Sequence, residues 1–149
     1  MIKMKRVLWR MPLNIPANAR KLEMRNSVVY LDQKNILYSI SNPGPQSQLS
    51  DDEIVAEVDR LLQFTGGKKV CMVVDASPNS QPIKKEQRDV ISEQLNRVVK
   101  ALAVITRSPL SNMVINLYFN FKPPVYPTKL FTNEEDAMQW VNEMCERLK

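Results

Sequence analysis

Residues 68–77 read KKVCMVVDAS. Five consecutive apolar residues, 70–74, sit between two lysines and an aspartate. A run that short, apolar at both parities and rich in valine, is a strand buried on both faces. Such a strand lies in the middle of a sheet with helices above and below. Asp75 then marks its carboxyl-terminal end, and 75–80 (DASPNS) is the loop that leaves it. Residues 101–106 (ALAVIT) repeat the doubly apolar pattern and give a second central strand.

Outward from this pair, the segments alternate. Upstream, Ser50-Asp51-Asp52-Glu53 has the spacing of a capping box, in which the serine oxygen and the glutamate carboxylate each accept from the other's backbone N–H. Ile54, Val55, Val58, Leu61 and Leu62 follow at helical spacing, and Gly66-Gly67 stops the helix. Further upstream, SVVYL at 27–31 and ILYSI at 36–40 are β-prone runs joined by Asp32-Gln33-Lys34-Asn35, which reads as a hairpin. Downstream, the spacing predicts a helix over 84–96 with Val90, Ile91 and Leu95 inward. Another helix is predicted from Pro109 to about Phe119, capped by Ser108. A stiff connector at 122–127 leads to a short strand at 129–131. A last helix, opened by a second capping box at Thr132-Asn133-Glu134-Glu135, carries Ala137, Met138, Val141, Met144, Cys145 and Leu148 on one stripe. The order predicts an α/β layered domain. Its central sheet is mixed but mostly parallel, of about five strands, with four flanking helices and a leading hairpin.

The chain has 149 residues, 44% hydrophobic and 25% charged, which is one domain's worth. Its net charge of +5 is uneven. Residues 1–25 hold seven basic side chains and one acidic, net +6, and 26–149 are net −1. The expected division is a basic amino-terminal arm at 1–24, with a short strand near 6–11, and a single domain at 25–149. The arm suits an anionic surface, although charge clusters are commonly just solvated. Against nucleic acid, the folded part is not basic and offers no platform of stacked aromatics and cations.

The chain contains no histidine and only two cysteines. That removes every histidine-dependent triad and every His/Cys-rich zinc site. It also leaves serine or cysteine without its usual activating base. Cys71 in the strand and Cys145 on the last helix read as small buried hydrophobes in a reducing compartment. There is no apolar run of membrane-spanning length and no secretory leader pattern. The expectation is a cytoplasmic protein without enzymatic activity or cofactor. Gly66-Gly67 before Lys68-Lys69 lacks the upstream glycine of a phosphate loop, and Glu134-Glu135-Asp136 serves the dipole of the last helix.

Four stretches carry a family resemblance: LDQKNILYSI, KKVCMVVDAS, ALAVITRSPLSNMVINLYFNF and YPTKLFTNEEDAMQWV. Together they resemble the SpoIIAA-like, or STAS-like, proteins of the Sec14-like superfamily, and in particular uncharacterised bacterial members. The resemblance spans about 22–148 and implies a mixed sheet flanked by helices and a non-enzymatic regulatory or adaptor role. It implies action through an unidentified protein partner or a homo-oligomer. In STAS regulators a phosphorylatable serine opens the helix after the strand matching 70–75. Here that helix starts at Ile83-Lys84, and Ser77 and Ser80 lie upstream of the motif position.

Two candidate surfaces follow. The first is an anion- or partner-binding loop of Asp75, Ser77, Ser80, Lys84 and Lys85, at the strand end where open α/β sheets place ligands. Its plainer reading is a solvated turn with Asp75 and Ser77 serving local backbone donors. The second is an interface of Leu110, Met113, Val114, Leu117, Tyr118 and Phe121, whose plainer reading is a core-facing stripe. The alternative function is a small-ligand or lipid-binding module with an apolar pocket behind the 108–121 helix.

Overall fold

The computed structural model describes residues 13–44, 46–77, 84–106 and 123–149. Its elements in chain order are β1 (Arg20–Glu23), β2 (Ser27–Leu31), β3 (Ile36–Ser41), α1 (Asp51–Phe64), β4 (Val70–Asp75), α2 (Lys85–Leu95), β5 (Val99–Ile105), β6 (Thr128–Phe131) and α3 (Glu134–Arg147). The six strands form one sheet in sequence order. β1, β2 and β3 pair antiparallel, and β3 to β6 run parallel.

Period-two alternation builds both faces. Leu37, Val70, Met72, Leu102 and Val104 point to one side, where Val58 and Leu61 of α1 cover them and Leu95 of α2 packs alongside. Ile36, Tyr38, Cys71, Val73, Ala101, Ala103 and Ile105 point to the other, beneath Ala137 and Val141 of α3. This is why 70–74 is apolar at every position: both faces of β4 are roofed. Burial of these side chains supplies the stabilisation, at about 1.5–3 kcal/mol for each large one.

The capping box at Ser50 forms as expected, with Ser50 Oγ accepting from Glu53 N and Glu53 Oε1 accepting from Ser50 N. Gly66 and Gly67 both have positive φ. Gly67 N donates to Leu62 O at 2.8 Å and Gly66 N to Gln63 O at 3.1 Å. The pair is therefore a helix stop.

Several expectations need correction. Among the described residues the sheet has six strands, because Arg20–Glu23, assigned to the arm, forms β1. This four-residue segment has no apolar alternation to reveal it. Hydrogen bonds tie it to α1: Arg20 Nη2 donates to Phe64 O at 2.8 Å, and Arg60 Nη2 donates to Glu23 O at 2.9 Å. Its short, charged sequence also suits an edge strand, which must discourage further pairing. Leu13 is buried under α3's layer, and Asn14 N donates to Glu134 Oε1 at 2.7 Å, so the folded body begins well before residue 25. Three helices lie among the described residues. The fourth predicted helix, and the strand predicted at 6–11, lie outside them. No residue of α2 is fully buried; Val90 and Ile91 are half-buried, since α2 lies beside α1 and only Leu95 reaches the core cluster. The last helix is capped by Asn133, which accepts from Asp136 N at 2.8 Å, one residue later than the Thr132 expected.

Among the described residues no helix is long and apolar enough to cross a membrane.

Candidate functional site

The parallel strands end together. Ile40 of β3, Asp75 of β4 and Ile105 of β5 are register partners, and Phe131 of β6 stands beside Ile105. Asp75 is the only charged residue in this row. It is fully buried. Its Oδ1 accepts twice from Ser77, from the backbone N–H at 2.9 Å and from Oγ at 2.5 Å. Among the described residues Oδ2 has no hydrogen-bond partner. Thr106, one residue past β5, is also buried, and its N–H donates to Phe131 O at 3.0 Å.

The chain's local chemistry explains half of this arrangement. Past its last ladder bond a strand must satisfy its own backbone, and an aspartate reaching the N–H two residues on is the usual way to turn. That accounts for Oδ1. It does not account for burying Oδ2, because an unsatisfied buried polar atom costs about 1–3 kcal/mol, more when charged. The strand end therefore holds a buried carboxylate oxygen with spare accepting capacity.

Lys84 sits at the N-cap of α2 in extended conformation and makes no side-chain cap. Lys84 and Lys85 are both exposed, and among the described residues neither forms an ion pair. Two cations at a helix amino terminus oppose its dipole. The structure thus joins Asp75 to Ser77 directly and leaves Lys84 and Lys85 as a separate positive edge. Ser80 lies outside the described residues, as do Leu110, Met113, Val114, Leu117, Tyr118 and Phe121.

The two cysteines are free thiols on one layer. Burial, with the neighbouring Cys145 thiol next in weight, pushes Cys71 up to about 12, so it is an inert core thiol. Among the described residues no group of three or more carboxylate, thiol or imidazole side chains is placed to hold a metal.

Sequence reasoning passed over one feature at the opposite end of the sheet. Lys34, Lys68, Lys69 and Lys100, far apart in sequence, line a single cavity. The Lys68-Lys69 pair was visible as a motif. Its convergence with Lys34 and Lys100 depends on strand order, which local pattern does not carry.

A solved structure from Shewanella loihica is similar in fold. It is an uncharacterised protein of the DUF3478 family with a SpoIIAA-like fold, 14% identical, with a TM-score of 0.50, covering 86% of this chain and 99% of that one. At that identity the likeness concerns the fold alone, and it agrees with the SpoIIAA-like architecture read from the sequence. No curated protein matches the chain. The profile of a domain of unknown function, DUF7793, matches residues 29–145, from β2 through nearly all of α3, and the chain belongs to that family.

Proposed function

We propose that this domain is a non-enzymatic regulatory module of the cytoplasm that acts by binding another protein at the carboxyl-terminal edge of its parallel strands. The observation that carries this reading is the Asp75–Ser77 turn: a buried carboxylate whose one oxygen is held by a serine hydroxyl and whose other has no donor among the described residues. A regulatory loop needs a conformation that a small chemical change can reverse. Phosphorylation of Ser77 would remove the hydroxyl donor and set a near-dianion against the carboxylate. The turn would then have to open, altering the surface at the carboxyl-terminal edge of the parallel strands. The lack of histidine supports a binding role over hydrolysis.

The test is a photo-crosslinking residue placed at Lys84, with a control position at Asp52 on α1, in the native cytoplasm. The expected result is a discrete protein crosslinked from position 84, absent from position 52, and lost when Ser77→Asp is added. The same products from both positions, or none from position 84, would overturn the reading. A second copy of the chain is the other partner this reading admits. Sedimentation over a range of concentrations separates it from a foreign protein.

A further inference from the structure

The cavity at the amino-terminal ends of the parallel strands has a volume of about 580 Å³. Ile36 and Val70, the first residues of β3 and β4, line it, together with Asn142, Cys145 and Glu146 of α3. Lys34 comes from the β2–β3 turn, Lys68 and Lys69 from the α1–β4 connector, and Lys100 from β5.

Lys100 reaches the cavity through a break in the ladder. Val70 pairs with Val99, but Cys71 pairs with Ala101. Lys100 is therefore the extra residue of a β-bulge. A bulge re-aims a side chain at some cost in regular pairing. Without it, the period-two pattern of β5 would be one residue out of step across this point.

The charge at the cavity is poorly balanced. Five lysines and one glutamate line it, and Glu146 is taken by Lys149. Lys34, Lys68, Lys69 and Lys100 form no ion pair among the described residues. Elsewhere on the molecule, Lys21, Arg25, Arg60 and Arg97 each have a carboxylate partner. The carboxyl terminus of α3 offers some compensation, since Lys100 Nζ lies 3.5 Å from Leu148 O. A helix terminus, however, is equivalent to only about half a negative charge. It answers part of one lysine, and three remain.

We propose that this cavity binds a small phosphate-bearing anion. The lysines would hold the phosphate as point charges on flexible stems, and the cavity volume leaves room for an organic body. The volume falls within the range of small-molecule sites, about 300–1,000 Å³. This site lies at the opposite end of the sheet from Asp75 and stands or falls independently of the partner reading.

The experiment is a titration of the isotope-labelled full chain, followed by amide resonances, with inorganic pyrophosphate, ribose 5-phosphate and ribose. Pyrophosphate or ribose 5-phosphate is expected to shift amides at 34–36, 68–70 and 99–101. Affinity should fall with added salt. It should also fall about tenfold in Lys68→Gln/Lys69→Gln, a loss of about 1.4 kcal/mol. Tighter binding of ribose 5-phosphate assigns the site to an organic phosphate, and tighter binding of pyrophosphate to an inorganic one. Lys100→Gln tests the bulge. If it does not fold, the exposed pair at 68 and 69 still decides the matter. No shift of these amides up to about 1 mM of either anion, equal affinity in the double variant, or equal binding of ribose would overturn the proposal.

Discussion

Tyr38 donates its phenolic hydrogen to Asp32 Oδ2 at 2.8 Å, while Oδ1 of the same carboxylate accepts from Ile36 N at 2.9 Å and Lys34 N at 2.8 Å. One side chain thus latches the β2–β3 turn to the strand that follows it, with Asn35 in the left-handed region at φ 64°. Both partners are buried. Hydrogen bonds to charged groups contribute about 1.5–3 kcal/mol. Tyr38→Phe keeps the ring packing and removes only this bond, so it should cost about that amount. Urea unfolding at constant slope checks it. A loss under about 0.5 kcal/mol would mean that Asp32 is satisfied by its backbone donors alone.

The same burial sets the response to alkali. Tyr38 is held well above its ordinary value of 10.0, first by burial and then by its bond to Asp32. Tyr126 is raised by burial, and Cys71 is raised from 9.0 to about 12. Each group keeps its proton longer in the folded protein than in the unfolded chain. Their contribution is therefore complete below the unfolded values and declines as pH rises toward the folded ones. The urea midpoint should begin to fall near pH 9.0, where Cys71 titrates in the unfolded chain, and fall faster above pH 10.0, where the tyrosines join it. Cys71→Ala should remove the early part of the decline and Tyr38→Phe some of the later part. A midpoint flat across this range would contradict the burial assigned to these groups.

The α3 cap separates what local sequence carries from what it does not. Thr132 and Asn133 both precede an acidic turn, and either fits a cap. The structure uses Asn133. Asn133→Ala should cost about 1 kcal/mol and Thr132→Ala close to nothing, measured by thermal or urea unfolding. Equal effects would place the helix start elsewhere. The same limit applies more widely. The strands at 70–75 and 99–105 and the helices at 51–64 and 134–147 were readable because burial on one or both faces writes a periodic pattern. β1 was not, because its strand state comes from pairing with β2 and from hydrogen bonds that tie it to α1, not from an alternating pattern of its own. Asp75 and Ser77 were identifiable from the strand end. The lysine cavity was not, since four segments meet there only after the sheet is assembled.

α3 lies on the sheet over small residues. Ala101, Ala103 and Ala137 are all fully buried. Their size lets the helix sit close to β5, so added volume has nowhere to go. Ala103→Leu should destabilise by about 1–3 kcal/mol or more through overpacking. Val104→Leu, one residue on and facing the α1 layer, should cost less than about 1.5 kcal/mol. Comparable losses at the two positions would show that the α3 layer is no tighter than the other.

The Ser77 turn makes a prediction that separates electrostatics from packing. Ser77→Ala removes the hydroxyl bond to Asp75 Oδ1 and leaves the backbone one, a loss of about 1.5 kcal/mol. Ser77→Asp does the same and adds a like charge beside a buried carboxylate, so it should cost more. Asp75→Asn in the Ser77→Asp background removes the repulsion while keeping an acceptor for the Ser77 amide position. The double variant should therefore be more stable than the sum of its single changes, with a coupling of about 1 kcal/mol. Urea unfolding of the four proteins gives the cycle. Additivity within about 0.5 kcal/mol would mean that the charge at 77 does not act on Asp75, and the phosphorylation switch would lose its physical basis.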